Sequence, residues 1–242
     1  MTNITPETRI GDIAARHPLA TRVFARHGID FCCGGGAPLR QACEQRGLAA
    51  TTVLAEIDEE IADPRGAEGD DWLAAPPAAL VRHIVATYHV PLRQELPRLQ
   101  AMARKVAEVH AERDPERRLP AILATLLALA AELADHMARE EEVLFPTIVS
   151  GAAAPLQPFV DDHTAAGEKL ARLRALTDDY TPPADACNTW RALWAGLADL
   201  ERAMHQHVHL ENNVLFARVP QLTLRGLQPV VAGLAAMGAD SG

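Results

Sequence analysis

The sequence predicts an all-α protein in which an antiparallel four-helix bundle follows a small helical domain. Aromatic residues make up only 4% of the chain and Ala, Leu, Glu and Arg recur in long runs, a composition that favours helices over sheets. Apolar residues return at a spacing of three and four along four long segments after residue 72. The connectors between those segments are short, so consecutive helices are expected to be antiparallel.

The small domain is predicted to span residues 1–62. Apolar residues from Ile10 to Phe24 recur at roughly helical spacing. A glycine-rich turn at residues 34–36 follows, and then a short helix is expected from about Ala37 to Arg46, closing on Gly47. Residues 63–71 are rich in helix-breaking and acidic residues and are predicted to form a linker. The bundle domain is expected over residues 72–242.

The first bundle helix is predicted to begin at Pro76–Pro77, because proline suits the first turn of a helix. It is expected to run to about Ala111. The other three are predicted to run from about Leu119 to Val149, from about Pro155 to Thr177 and from about Ala184 to Val219.

Helical spacing decides which polar residues share the apolar face of each helix. Each of the four helices places one histidine in that apolar seam, and the second and fourth helices add a glutamate one turn later. The seam residues are His89, His136, Glu140, His163, His207 and Glu211. At about 100° per residue, their near neighbours point away from the seam. The residues expected to be solvated on this argument are His83, His205, His209, Glu141 and Glu142.

The second and fourth helices also repeat one another. Residues 136–145 and 207–216 share His, Glu, Val, Leu and Phe at a shift of 71 positions. A two-fold repeat of helix pairs is the arrangement that a symmetric two-metal site in a bundle needs.

The seam composition predicts a metal centre. A single seam histidine is ordinarily a satisfied core residue, and a single His-x-x-x-Glu pair is often only a surface contact. Two buried carboxylates without a cation, however, cost several kcal/mol each, and no Lys or Arg shares the seam beside them. Six ligands are too many for one tetrahedral zinc ion. We therefore expect two metal ions, each with two His, bridged by both carboxylates and by an oxo, hydroxo or water ligand.

The donor set also bears on the identity of the metal. Mixed nitrogen and oxygen ligation without thiolate favours iron, with manganese or zinc as alternatives. Ferritin-like sites use four Glu and a Glu-x-x-His motif, which does not match this order of ligands. Two anionic ligands stabilise ferric iron less than four, so reduced iron is expected to leave more readily.

Cys32 and Cys33 precede three glycines and a short helix. Backbone N–H groups and a helix N-terminus are expected to stabilise a thiolate there and to lower its pKa. The pair is predicted to be redox-active or to transfer iron; the alternative is a structural turn with one buried cysteine. Cys43 and Cys187 are expected to have no role.

Charge and cysteine usage limit the functional classes. A formal charge of −9 argues against a general nucleic-acid binder. The N-terminus lacks the basic-then-apolar pattern of a secretory signal, and no apolar run reaches the roughly 18 residues that span a bilayer. The four cysteines show no disulfide framework. These features predict a reduced cytoplasmic protein that binds neither nucleic acid nor membrane.

Two motifs resemble a known family. The segment at residues 30–36, Asp-Phe-Cys-Cys-Gly-Gly-Gly, and the two His-x-x-x-Glu runs that end in Val-Leu-Phe are similar to those of the bacterial repair-of-iron-centres proteins, the iron–sulfur cluster repair di-iron family. The resemblance covers nearly the whole chain. It implies a hemerythrin-like bundle behind a small helical domain, and it places the metal ligands on the same six seam residues.

The chain departs from the expected pattern at two positions. Ala217 follows Phe216, whereas Pro146 follows Phe145 in the other half of the repeat. Pro91 lies two residues after His89, where it removes a backbone hydrogen bond and is predicted to kink the first helix beside the site.

The resemblance implies a stress protein that restores iron–sulfur clusters damaged by nitric oxide or oxidants. In the first hypothesis the chain supplies iron from its di-iron site to damaged iron–sulfur proteins. In the second it is an enzyme that reduces nitric oxide to nitrous oxide at that site. In the third it binds oxygen or nitric oxide as a sensor or carrier. The cysteine pair favours the first, since an oxygen carrier needs no thiols. Monomer and homodimer both remain open.

Overall fold

The computed structural model describes residues 4–62, 71–114 and 116–220. Within these ranges the chain is helical without any β-strand, and the all-α prediction is confirmed. The predicted linker lies outside the described residues except for its last residue, Asp71, and so does the chain beyond residue 220.

The N-terminal domain consists of four short helices around its own core. Helices α1, α2, α3 and α4 span Ile10–Arg16, Ala20–Arg26, Leu39–Glu44 and Ala50–Ile61. Apolar side chains from all four meet in one cluster, which includes the almost fully buried Ile13, Phe24, Leu39 and Ile57. Gly28 follows α2 with a φ of +62°, a left-handed conformation that glycine adopts without strain.

Four long helical segments form the bundle, and three of them contain a π-turn. Helix A joins α5 (Pro77–Ile84), a π-turn (Val85–His89) and α6 (Val90–Val109). Helix B joins α7 (Arg118–Arg139), a π-turn (Glu140–Leu144) and α8 (Phe145–Val149). Helix C is α9 (Gln157–Leu176), and helix D joins α10 (Asn188–His209), a π-turn (Leu210–Leu215) and a 3₁₀ turn (Phe216–Arg218).

Helices B and D each pack against helices A and C, which closes the bundle. The largest departure from the predicted helix ends is at the start of helix D, expected near Ala184 and observed at Asn188.

The π-turns change which residues face the core. A π-turn carries one more residue than an α-turn, so it rotates the subsequent residues around the helix. In helix B regular α-helical spacing would place Val143, seven residues after His136, in the apolar seam, but Val143 is 62% exposed and Leu144 is buried in its place. In helix A the spacing of four residues before His89 would place Val81 and Val85 in the seam. The fully buried positions are instead Leu80 and Ile84, and Val81 is only partly buried.

Pro91 does not break helix A. The π-turn ends two residues before it, and α6 continues without interruption to Val109. The irregularity expected beside His89 is therefore present as a π-turn upstream of the proline.

Two apolar clusters fill the bundle on either side of the predicted metal site. One is formed mainly by leucines of helices A to D, among them Leu126, Leu129 and Leu170. The other lies at the opposite end, around Phe145 and Leu215. Apolar packing on both sides shields the layer between the clusters from water at its two ends.

Helix B corrects one expectation, because Arg118–Val149 is long and apolar enough to cross a membrane by length and composition. Its apolar face lies in the bundle, where Leu126 and Leu129 are fully buried. Packing in a helical core accounts for that composition.

Candidate metal centre

Two overlapping groups of four side chains meet between the four helices. Each group contains two histidines and both glutamates, and its four ligand atoms lie within 4.8 Å of one another. All six side chains are at most 3% exposed. The groups are His89, His207, Glu140 and Glu211, and His136, His163, Glu140 and Glu211.

The two histidines in each group are separated by the spacing that a shared cation requires. The Nε2 atoms of His89 and His207 are 3.0 Å apart, and those of His136 and His163 are also 3.0 Å apart. Neighbouring ligands of an octahedral ion with bonds of about 2.1 Å lie about 3 Å apart. Each histidine pair can thus hold one ion.

Glu211 reaches both groups with different oxygens. Its Oε1 lies 2.9 Å from Nε2 of His207, and its Oε2 lies 3.1 Å from Nε2 of His163. A carboxylate in this position can bridge two ions, with one oxygen on each.

Glu140 supplies the second shared carboxylate. Its Oε2 lies 3.5 Å from Nε2 of His89 and 3.3 Å from Nε2 of His136. Among the described residues neither of its oxygens has a hydrogen-bond partner, nor does Oε2 of Glu211. Buried carboxylate oxygens without donors are costly, and metal ions would satisfy them. The residues therefore fit a di-iron centre.

Three of the four histidines have their outer ring nitrogen held by an acceptor. A hydrogen bond from Nδ1 fixes the tautomer and leaves the Nε2 lone pair facing the site. The bonds run from His89 to Glu141 (2.7 Å), from His136 to Asp162 (3.1 Å) and from His163 to Asn212 (2.8 Å).

The sequence analysis did not identify these supporting residues. Glu141 was expected to be solvated; it is half-buried against His89 because the π-turn of helix B begins at residue 140. Arg93 lies 2.8 Å from Glu141, and Arg139 bonds Asp162, so both carboxylates are neutralised on their outer side. Position in the sequence could have identified Glu141, Asp162 and Asn212, since each of the three is adjacent to a predicted ligand.

His207 is oriented differently. Its Nδ1 has no partner among the described residues. Its ring instead stacks on Tyr88, with centroids 5.3 Å apart and an interplanar angle of 5°. Aromatic packing thus fixes the plane of this ring where a hydrogen bond fixes the others.

The carboxylates attract positive charge into the buried site. Burial alone would lower the pKa of His136, but the negative charge of the Glu140 carboxylate 3.3 Å away, with a contribution from Glu211, raises it to about 9. Burial is likewise outweighed at His89 and His163, whose pKa values are raised by the same carboxylates. The site is therefore built to hold cations, whether protons on imidazole or metal ions.

Two histidines expected to be solvated lie in the contact between the domains. His209 is 3% exposed and packs edge-on against Phe31, with ring centroids 5.6 Å apart. Burial lowers the pKa of His209 to about 4. His205 is half-buried against the other side of the same contact, 6.1 Å from Phe31. The prediction missed this surface because a helical projection of the bundle does not include the N-terminal domain.

The remaining expectations for near neighbours are mixed. Glu142 is exposed as expected. His83 is half-buried beside Trp72, with ring centroids 4.2 Å apart.

The cysteine pair lies beside the metal site. Asp30 Oδ1 accepts hydrogen bonds from the backbone N–H of Cys32 (3.1 Å) and of Cys33 (2.9 Å), and from the Cys32 thiol (3.1 Å). Cys32 is 5% exposed and packs into the leucine-rich cluster of the bundle. The Cys33 sulfur lies 3.6 Å from the backbone carbonyl of His163.

The two thiols differ in their acidity. The two sulfur atoms lie 3.9 Å apart, and their interaction lowers the pKa of Cys33 and raises that of Cys32. The expected lowering of pKa therefore applies to Cys33 alone, and its main cause is the neighbouring thiol.

A cavity of about 170 Å³ lies between helices B and C. Its lining includes His136, His163 and Asp162, together with Lys169 and Glu132, which lie 2.7 Å apart. Small molecules can approach the second histidine pair through this space.

Comparisons with known proteins agree with this geometry. The family profile described as "Hemerythrin HHE cation binding domain" matches residues 80–219, and ScdA_N, a "Domain of Unknown function (DUF542)", matches residues 6–61. An "Iron-sulfur cluster repair protein YtfE" of Musicola paradisiaca is 39% identical over 216 residues, covering 88% of this chain and 96% of the relative. A "Probable iron-sulfur cluster repair protein" of Haemophilus influenzae is 36% identical, with 88% and 96% covered. The chain belongs to the hemerythrin HHE cation binding domain family and, within it, to the group of the iron–sulfur cluster repair proteins.

Proposed function

We propose that this chain repairs iron–sulfur clusters damaged by nitrosative or oxidative stress, and that it does so by supplying iron from its di-iron centre. The observation that carries the proposal is the buried site with four imidazoles and two shared carboxylates, three of whose oxygens lack a hydrogen-bond partner among the described residues. The proposed ligands are His89, His136, Glu140, His163, His207 and Glu211. The relatives named above carry the repair function in their names.

The donor set supports release as well as binding. Only two of the six side chains are anionic, so ferric iron gains less stabilisation here than in a four-carboxylate site. Reduction of the iron then weakens its attraction to the two carboxylates. Bound iron would supply redox and Lewis-acid chemistry at the site.

The chain's own residues hold the site ready for that role. Glu140 and Glu211 would be shared by the two ions, and the apolar clusters shield both carboxylates from water at the two ends of the site. Glu141 and Asp162 retain the Nδ1 protons of His89 and His136, so each Nε2 stays available.

Cys32 and Cys33 are the proposed transfer ligands. Thiolates are the soft ligands that iron meets on its way into a cluster, and the Cys33 sulfur is within 3.6 Å of a backbone atom of His163. Replacement of both by Ser should leave the iron content of the bundle unchanged and slow cluster reconstitution in an apo client protein. Cys187→Ser, which changes an exposed thiol elsewhere, is the matched control.

Reduction of nitric oxide to nitrous oxide at the same site is the second candidate function. The cavity between helices B and C favours it, because about 170 Å³ beside His136 and His163 admits a diatomic molecule. Binding of oxygen or nitric oxide without turnover is the third. We place the protein in the cytoplasm, where free cysteines such as these four stay reduced.

One experiment separates these functions. Freshly purified protein is analysed for metal, reduced, and then mixed with nitric oxide or with an apo iron–sulfur protein in parallel. Iron donation predicts loss of iron to the client and recovery of client activity. Production of nitrous oxide in many turnovers without iron loss would contradict donation as the main role, and a stable nitrosyl spectrum with neither outcome would indicate a sensor or carrier.

A further inference from the structure

Asn212 lies between the two domains and, among the described residues, is the one whose side chain bonds both a proposed ligand and the N-terminal domain. Its Oδ1 accepts the hydrogen bond from Nδ1 of His163 at 2.8 Å. Its Nδ2 donates to the backbone carbonyl of Cys32 at 3.4 Å. One planar amide thus joins an imidazole of the metal site to the segment at residues 30–36, here called the Cys loop.

We propose that Asn212 is a positioning residue that couples docking of the Cys loop to retention of the iron held by His136 and His163. The inference rests on the proposed function, because it takes His163 as an iron ligand. It adds a form of regulation, in which displacement of the Cys loop weakens the binding of the iron held by His136 and His163.

The support of His163 differs from that of the other histidines. The Nδ1 atoms of His89 and His136 bond carboxylates that arginines of the bundle neutralise. Those supports lie within the bundle and do not depend on the N-terminal domain. His163 has a neutral amide instead, and the other end of that amide is bonded to the Cys loop.

The Cys loop is held against this position by several further contacts. The Nδ2 of Asn213 donates to the carbonyls of Phe31 and Cys32, both at 3.2 Å. Gly35 approaches so closely that a Cβ there would lie 2.4 Å from Oδ1 of Asn213. The Cys33 sulfur contacts the backbone carbonyl of His163, on helix C, at 3.6 Å. The docked loop therefore reaches His163 both through Asn212 and at its backbone.

Loss of these contacts has a defined consequence for the imidazole. A side-chain amide that has lost one of its two partners can rotate about its last torsion, and its oxygen then no longer stays in line with Nδ1 of His163. Loss of such an outer partner typically reduces metal affinity by about 10- to 100-fold. A client that draws the Cys loop away would therefore release iron from the His136–His163 pair first.

The test measures the rate at which a chelator removes iron from the iron-loaded full-length chain. Asn212→Ala should release one of the two irons about 10- to 100-fold faster and should shift the charge-transfer absorption of the remaining centre. Asn212→Asp keeps an acceptor for His163 but loses the donor to Cys32, so it should release iron more slowly than Asn212→Ala and faster than the wild-type chain. A structural defect in the helix would affect both variants alike.

The coupling itself is tested by a second substitution. Asn213→Ala removes docking bonds without touching His163 and should speed release by roughly 2- to 10-fold, the effect of one hydrogen bond. In the Asn212→Ala background its effect should be smaller, because the route through Asn212 is already broken and only the contact of Cys33 with the His163 backbone remains. The matched control is Gln206→Ala, which removes a bond to Thr21 elsewhere in the same domain contact and should leave the rate unchanged.

Each failure has a separate meaning. If Asn212→Ala releases iron at the wild-type rate, the positioning role is overturned. Equal effects of Asn213→Ala in both backgrounds, or a similar effect of Gln206→Ala, would overturn the coupling. Full retention of two irons by His163→Ala would instead contradict the ligand assignment of the proposed function.

Discussion

Removal of the metal should make the stability of the bundle fall as the pH rises above neutrality. The pKa of His136 is raised from an ordinary 6.5 to about 9, because Glu140 and Glu211 outweigh the effect of burial. A group with a raised pKa holds its proton more tightly in the folded state. Its contribution to stability is complete below the unfolded pKa and is lost as the pH rises through the folded one. The loss is therefore expected between about pH 6.5 and 9.

The size of the effect is set by the same shift. The difference between about 9 and 6.5 is about 2.5 pKa units, and each unit corresponds to about 1.4 kcal/mol. His136 alone thus contributes about 3 kcal/mol, out of the roughly 5 to 15 kcal/mol that stabilise a typical domain. The pKa values of His89 and His163 are raised as well, so they act in the same direction.

Urea denaturation of the metal-free protein, monitored by circular dichroism at several pH values, measures this directly. The iron-loaded protein is the control, because bound metal takes the place of the imidazole protons and removes most of the dependence. In a His136→Gln variant the pH-dependent part of the free energy of unfolding should be smaller by about 3 kcal/mol. Metal-free stability that stays constant or increases between about pH 6.5 and 9 would refute the electrostatic reasoning.

Two further predictions concern individual side chains. The double variant His207→Ala/Glu211→Ala should lose at least one of the two irons by metal analysis, whereas His205→Ala, which changes a ring beside Phe31, should keep both; iron loss in the latter would mean that the helical phase is misassigned. Glu141→Ala should weaken iron binding by about 10- to 100-fold in a chelator titration, because it releases Nδ1 of His89. The exposed neighbour Glu142→Ala should have no effect, and equal losses in the two would contradict the supporting role of Glu141.

The helices and the six candidate ligands could be predicted because they depend on local periodicity. An apolar seam interrupted by one His, and then by a Glu four residues later, is visible in the sequence without any knowledge of tertiary structure. The pattern placed His136 and Glu140 on one face of helix B, and both are buried at the site. His136 lies in the α-helical stretch from Arg118 to Arg139 and Glu140 is the first residue of the π-turn, so the turn begins too late to separate their faces.

Contacts between distant segments could not be predicted in this way. Asn212 bonds Cys32 across 180 positions of the chain, and His209 packs against Phe31 of the other domain. No periodicity links those positions, since the docking of two folded domains is decided by surface shape and by pairing of polar groups. For this reason residues expected to be solvated became part of an interface.

The π-turns account for the errors over which residues of helices A and B face the core, and the sequence contains a signal for these turns. The first ends at His89, the second begins at Glu140, and the third contains Glu211, so each adjoins a proposed ligand. A single extra residue rotates the rest of the helix about its axis, which explains why Leu144 replaces Val143 in the core.

The first two π-turns each have a proline two residues after them, Pro91 or Pro146. Proline has no N–H to bond the carbonyl four residues earlier, here Thr87 or Glu142 inside the π-turn. The wider turn already bonds at a spacing of five, so less is lost there than within an α-helix. Helix D keeps its π-turn with Ala217 at the corresponding position. Proline is therefore compatible with the turn without being required for it, and the feature common to all three turns is the adjoining ligand.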